Sequence, residues 1–300
     1  MSNKTERISI VIIIPYFGKW PFWMELFLAS CSTNPTVQWL LFGDCGKPEK
    51  IPSNVTYQYI SFNEYTKKVS DALGVNFSPE NSYKLCDIKP MLGFIHEEDI
   101  KGFDFWAFGD LDLVYGDLRE VYTERLLSKY DLISNHETRV SGHLCLIRNT
   151  KLMREIFKKV PDWKVKIINK EHLAFDEKAF SKLFVKHKNF PNWLRKFTNK
   201  IYPLVRRSCF VERYTTPNAG VAWEDGTFNF PEEWYWNAGQ LDNSFFKKKK
   251  YPYFHFYGWK TTWRNTEELG KFDSKKVIFK INESGIERLI AHPDKSLMER

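Results

Sequence analysis

The stretch Phe103 to Leu118, FDFWAFGDLDLVYGDL, constrains the fold more than any other part of the chain. Phe103, Phe105, Trp106, Ala107 and Phe108 crowd between Gly102 and Gly109, a density of aromatics that favours a core strand over a helix. Asp110 and Asp112 follow at its end. In extended backbone, residues i and i+2 point to one side, about 6 to 7 Å apart along the chain, so the two carboxylates are expected to converge on one small volume. Like charges held so close repel, and a divalent cation relieves the repulsion. Hard oxygen ligands suit Mg2+ or Mn2+, and these ions in turn suit a diphosphate. An isolated Asp-x-Asp is common in solvated loops, and it is the apolar strand in front that singles this one out.

Around this strand the first half alternates. Ile8 to Ile14 is a continuous β-branched run, the pattern of a strand covered on both faces, and a helix is expected from about Trp20 to Ser32. Trp39 to Phe42 reads as a second strand ending at Gly43-Asp44, and Val55 to Ile60 as a third. Helices are expected over Phe62 to Leu73 and Cys86 to Ile95. The rhythm predicts an α/β fold with crossover connections, in which ligands gather beyond the carboxyl ends of the strands. Tyr16, Asp44 and the Asp110/Asp112 pair all occupy such ends. The second half is less regular, with a strand expected over His143 to Arg148 and helices over Lys151 to Lys159 and Phe175 to Val185. The last of these opens on the acidic pair Asp176-Glu177, a residue type that also favours the first turn of any helix.

No Gly/Ser linker or repeat marks a boundary, so one domain is expected over residues 1–265, with a nucleotide-binding part over about 1–118, an acceptor part over about 119–265, and a C-terminal extension over 266–300. With 300 residues there is room for a large core, and aromatics at 17% argue against disorder. A net charge of +8 suits anionic partners without choosing among them. The five cysteines, at positions 31, 45, 86, 145 and 209, are widely spaced and contain no Cys-x-x-Cys, as expected of reduced thiols in a cytoplasmic protein. The apolar run near the N-terminus stops at Pro15 with no cleavage site after it, and reads as a core strand, not an export signal. No window approaches the roughly 20 apolar residues that a spanning helix requires. The basic segment 186–213, with aromatics interleaved among Lys and Arg, suggests at most a peripheral contact with anionic lipid on the inner face of the membrane; an ordinary solvated face is the blander reading.

A second site signal lies in Tyr253 to Lys260, YFHFYGWK. His255 offers an imidazole to a metal, Gly258 permits close backbone approach to a phosphate, and Lys260 neutralises its charge. In their order along the chain, IIIPYFG, KLCDIKP, WAFGDLD and HFYGWK resemble the motifs of nucleotide-sugar glycosyltransferases of the GT-A fold, particularly glycogenin and lipopolysaccharide galactosyltransferase relatives. The N-terminus IPYFGKWP also looks like that of bacterial polysaccharide-cluster proteins.

The resemblance spans roughly residues 8 to 260 and implies a Rossmann-like, mostly parallel central sheet flanked by helices, with a divergent C-terminal portion. It implies Asp110, Asp112 and His255 as ligands of Mn2+ or Mg2+, and Lys260 with Gly258 at the diphosphate of the donor. Asp87 with Lys84 or Lys89 would face nucleoside and sugar, and Tyr16 and Asp44 would lie near base and ribose. Asp176 and Glu177 are the candidate catalytic pair; His143 is a candidate to border the acceptor, and Trp223-Glu224-Asp225 offers another carboxylate cluster. The expected activity is metal-dependent hexosyl transfer from a nucleoside-diphosphate sugar, UDP-linked by expectation, to a bacterial surface polysaccharide or glycolipid. The competing readings are a nucleotidyl- or phosphotransferase, against which no Gly-rich phosphate loop is found, and a non-catalytic module binding carbohydrate or nucleic acid. Specific nucleic-acid motifs are absent, so no nucleic-acid partner is expected.

Overall fold

Ile10 to Ile14 are each at most 2% exposed, and this sets the architecture, because a strand apolar on both sides must be sandwiched between two layers. A computed structural model of the chain describes residues 7–186, 190–191, 194, 197, 201–245, 249–264, 269, 272 and 277–290. In chain order the strands are β1 (Ile10–Pro15), β2 (Val37–Gly43), β3 (Val55–Tyr59), β4 (Phe105–Gly109), β5 (Leu113–Tyr115), β6 (Leu132–Ser134), β7 (Leu144–Arg148), β8 (Ser208–Phe210), β9 (Glu233–Asn237), β10 (Gln240–Asn243), β11 (Tyr253–His255), β12 (Val277–Asn282) and β13 (Gly285–Ile290). Seven of them form the central sheet in the order β3-β2-β1-β4-β7-β6-β8. Its pairings are parallel except where β7 meets β4 and β6, so β7 alone runs against the rest. The fold is therefore α/β with a mostly parallel central sheet.

The two faces of the sheet are read off the period of two. Val11, Ile13, Trp106 and Phe108 pack on one side with Tyr65 and Val69 of α2 (Phe62–Leu73), once α1 (Met24–Ser32) has crossed from β1 to β2. Ile10, Ile12, Phe105 and Ala107 pack on the other with Phe27 and Leu28 of α1. The bounds of α2 follow from local chemistry: Ser61 and Glu64 exchange a reciprocal capping box at its start, and Gly74, left-handed at φ 61°, closes its end.

A third apolar cluster packs Trp234, Trp236 and Phe279 of an antiparallel sheet in the order β10-β9-β12-β13, which the sequence reading did not anticipate, against Phe254 of β11, the partner of β5. The boundary expected at residue 265 falls inside the span of this sheet, since β12 pairs with β9. Two expected helices are also different in kind. Ser82–Met91 is 3₁₀, with Pro90 inside it, before a single α turn at Leu92–Ile95. Asp176–Phe180 is one π-helical turn followed by a 3₁₀ turn at Ser181–Leu183. Among the described residues no helix is long and apolar enough to cross a membrane, and the basic segment 186–213 lies in part outside the described residues.

Gly43 closes β2 against the end of β1. A Cβ there would lie 1.8 Å from the carbonyl oxygen of Tyr16, while Tyr16 N donates to Phe42 O at 2.8 Å and locks the two strand ends together. Because the obstacle is backbone, Gly43→Ala is expected to destabilise the protein by roughly 3 kcal/mol, the upper part of the overpacking range. Urea unfolding measures this, and an unchanged midpoint would mean that β1 and β2 part at their ends without cost.

Candidate active site

Strand β4 is buried along its whole length and delivers the chain at Gly109 to a bend, Asp110-Leu111-Asp112, before β5 begins. Leu111 turns into the core and its carbonyl accepts from Trp23 Nε1 at 2.9 Å, which leaves the flanking carboxylates on the other side. The pair is thus converged by a bend and not by the extended backbone expected from sequence. The third member arrives from far downstream. Strand β11 pairs antiparallel with β5, placing His255 opposite Leu113, and His255 N donates to Thr215 O at 2.8 Å. Ligand atoms of Asp110, Asp112 and His255 then all lie within 4.8 Å of one another.

Asp112 and His255 are 5% and 7% exposed, whereas the Asp110 side chain is 32% exposed, so the cluster has a closed floor and one open side. His255 Nδ1 is 3.0 Å from Thr216 Oγ1. If Nδ1 donates there, Nε2 presents a lone pair. Nε2 is buried, 3.4 Å from Asp112 Oδ2, and has no hydrogen bond of normal geometry. A lone pair facing carboxylates calls for a cation between them, and two carboxylates with an imidazole suit a divalent ion such as Mn2+ or Mg2+. The residues present therefore fit a metal.

Two lysines flank the cluster. Lys260 Nζ donates to Asp112 Oδ2 at 2.6 Å; Lys89 Nζ donates to Asp110 Oδ1 at 2.6 Å and to Gly142 O at 2.9 Å. Burial alone would raise the Asp112 carboxyl, but His255 in its protonated form and Lys260 outweigh it and hold the group well below the usual carboxylate range. Burial likewise opposes the charge on Lys89, and Asp110, Cys86 and Asp176 outweigh it, raising the pKa of the ammonium. Both lysines are charged and already oriented toward the seat of the cluster.

Asp176 comes from the π turn and is 3% exposed. Gly142 makes its approach possible, because a Cβ there would lie 2.8 Å from Asp176 Oδ2 and 3.1 Å from Glu177 Oε1. Burial pushes the Asp176 carboxyl up to about 7; Lys89 pulls it down and Glu177 pushes it further up. Glu177 itself pairs with Arg139 at 3.5 Å. His143 stacks its ring on that of His255, centroids 4.3 Å apart, and burial with the neighbouring His255 holds its pKa well below the usual imidazole value.

These groups share a cleft of about 900 Å3, which Tyr16 and Gly258 also line. Three sequence-predicted contacts do not reach it. Lys84 and Asp87, expected beside nucleoside and sugar, are buried against each other at 2.7 Å. Lys84 also donates to Glu171 O, and Asp87 accepts from Leu173 N and Phe175 N at 2.9 and 2.8 Å, so the pair fixes the loop that precedes Asp176. Asp44 accepts from Gly18 N at 2.8 Å and ties the loop after β1. Trp223-Glu224-Asp225 forms a turn closed by Thr227, with Trp223 in the third apolar cluster and none of the three lining the cleft. Conversely, sequence reading passed over Tyr83, Tyr257, Arg139 and Thr216 in the cleft wall. Tyr83 and Tyr257 stand inside SYKLCDIKP and HFYGWK, and that adjacency was the available signal.

No curated protein matches the chain. Solved structures to which it is similar include glycosyltransferases. They include the galactosyltransferase LgtC in complex with donor and acceptor sugar analogs, at 9% identity over 69% of this chain and 74% of that one, with a TM-score of 0.37. Mouse xyloside xylosyltransferase 1 in its apo form matches at 10% identity over 83% of this chain and 98% of that one, with a TM-score of 0.41. The glycosyltransferase GlyE of Streptococcus pneumoniae TIGR4 matches at 12% identity over 69% of this chain and 46% of that one, with a TM-score of 0.32. A family model matches residues 12–288, nearly the whole length, and the chain belongs to that family, the family of unknown function DUF6625.

Proposed function

We propose that the chain is a metal-dependent glycosyltransferase that moves a hexosyl group from a nucleoside-diphosphate sugar, UDP-linked by preference, to a saccharide or glycolipid acceptor of a bacterial surface polysaccharide. The observation that carries this reading is the convergence of Asp110, Asp112 and His255 within 4.8 Å, with the buried Nε2 of His255 3.4 Å from Asp112 and without a hydrogen bond of normal geometry, and a lysine on each side. Asp110, Asp112 and His255 would hold Mn2+ or Mg2+, which when bound supplies Lewis-acid neutralisation of a departing diphosphate.

The remaining work belongs to side chains of this chain. Lys260 and Lys89 are charged donors aimed at carboxylates, and a diphosphate entering the cleft offers the same ammonium groups new oxygens. Lys260, the more open of the two, then stabilises the charge that develops as the nucleoside diphosphate leaves. Asp176 and Glu177 are the carboxyls of the cleft outside the metal cluster, and serve to hold hydroxyls of the transferred sugar or to take the proton of the attacking acceptor. Tyr16, beyond the end of β1, offers a ring face to a nucleoside base.

Thermal unfolding against a panel of nucleoside diphosphates, with and without Mn2+, tests the reading. A ligand at about a hundred times its dissociation constant stabilises by about 2.7 kcal/mol, a shift of several degrees. The expected result is a Mn2+-dependent shift with uridine diphosphate that disappears in Asp110→Asn. No shift with any nucleotide under either condition would sink the proposal.

A further inference from the structure

Among the described residues four tyrosines are exposed: Tyr59, Tyr83, Tyr202 and Tyr257. Of these, Tyr83 and Tyr257, at 57% and 56% exposed, line the cleft that contains the Asp110/Asp112/His255 cluster, whereas Tyr59 and Tyr202 do not. They reach it from separate parts of the chain. Tyr83 opens the 3₁₀ segment Ser82–Met91 that also carries Lys89, and Tyr257 lies between His255 and Lys260. Each ring is therefore tied through a few residues to the charged floor.

Both rings are also held from behind. Tyr83 N is fixed by the Asn81 side chain at 3.1 Å, and its ring lies 4.6 Å from that of His172. The Tyr257 ring is 5.8 Å from that of His255 and has the Lys260 ammonium 5.4 Å from its centroid. Aromatic faces open to water beside a charged floor are free for a ligand to cover, and tyrosine supplies such a face at low entropic cost.

We propose that Tyr83 and Tyr257 are the stacking walls of an acceptor subsite for a pyranose ring, and that the acceptor group entering this cleft is a saccharide. The inference rests on the sugar-transfer reading of the same cleft and names its acceptor class. A pyranose has an apolar face of axial C–H bonds and a rim of hydroxyls. The tyrosine rings match the face, while Arg139, Glu177 and Asn218 in the cleft wall match the rim.

The test is saturation-transfer NMR of the full chain with Mg2+ and uridine diphosphate against a panel of methyl α- and β-pyranosides, run beside the thermal shift with the nucleotide. The expected result is that at least one glycoside binds with transfer concentrated on the protons of one ring face. Its binding weakens at least tenfold in Tyr83→Ala and in Tyr257→Ala and persists in the Tyr→Phe variants, while the nucleotide shift is unchanged in all four. Equal glycoside binding in the alanine variants overturns the proposal. So does the absence of any glycoside signal while the nucleotide shift is intact, and so does loss of the nucleotide shift with glycoside binding retained, which would move the tyrosines to the donor. Absence of the nucleotide shift in the wild type counts against sugar transfer alone; tyrosine-dependent glycoside binding in that case still supports the saccharide subsite.

Discussion

Asp112→Asn is expected to lower sugar transfer by about a thousandfold or more, the largest effect of any single substitution in the cleft. Asp112 is the hub of the charged floor, holding Lys260 at 2.6 Å and His255 at 3.4 Å while buried at 5% exposure. Asparagine keeps the shape and removes the charge. The ammonium and the imidazole then face each other without an anion between them, and a divalent cation loses its most enclosed ligand. Truncating one partner of a buried charge pair costs about 3–5 kcal/mol, although Lys260, whose side chain is 32% exposed, has a route to water that softens the loss. Turnover must therefore be normalised to the folded fraction, measured by circular dichroism at the assay temperature. Asp110→Asn removes a carboxylate already open to solvent and is expected to cost less than Asp112→Asn. Hydrolysis of a UDP-sugar donor in a Mn2+ titration is the measurement. An Asp112→Asn enzyme within tenfold of wild type at every metal concentration would sink the assignment of this carboxylate.

What sequence could show and what it could not divides along the range of the interactions. The Ile10–Pro15 strand and the Phe62–Leu73 helix were legible because their causes are local: a β-branched run in one, an apolar stripe between a capping box and a left-handed glycine in the other. The Asp-x-Asp was legible because an aromatic strand leads into it. The pairing of β5 with β11, which brings His255 to the two carboxylates, joins segments far apart in the chain and leaves no periodicity in either. The segment YFHFYGWK marked His255 as a possible metal ligand, and the resemblance alone joined it to the two carboxylates. Lys84 and Asp87 show a second limit. Their spacing suits ligand contacts as well as it suits a buried pair, and only the loop 169–175 packing over them decides for the pair. The π turn at Asp176–Phe180 is a third case. Its residues look helical, and the bond from Phe180 N to Phe175 O that opens the turn belongs to the packing of the cleft and not to any propensity.

That turn leads to the second large expectation. Asp176→Asn is expected to make the protein less sensitive to alkaline pH and more stable than wild type above neutrality. In the fold the Asp176 carboxyl is pushed up to about 7 by burial, against an ordinary value of 3.8 in the unfolded chain. Between those two values the folded state holds a proton that the unfolded state has released, so stability is greatest below the lower value, falls as pH rises toward the upper one, and is level beyond it. The full penalty is on the order of 4 kcal/mol, and about 3 kcal/mol of it develops between pH 5 and pH 8. Asparagine preserves the acceptor that Glu177 N uses at 2.9 Å and carries no charge to bury. Urea unfolding of both proteins across this range should give curves that separate as pH rises, the variant above the wild type. Parallel curves would mean that Asp176 ionises in the fold as easily as in water. The same carboxyl lines the cleft beside the metal cluster, and a group that titrates near neutrality there has the pKa that proton transfer to or from a sugar hydroxyl requires. A variant more stable than wild type above pH 7 and yet unable to transfer sugar would mean that Asp176 is retained for chemistry, at the expense of the fold that holds it.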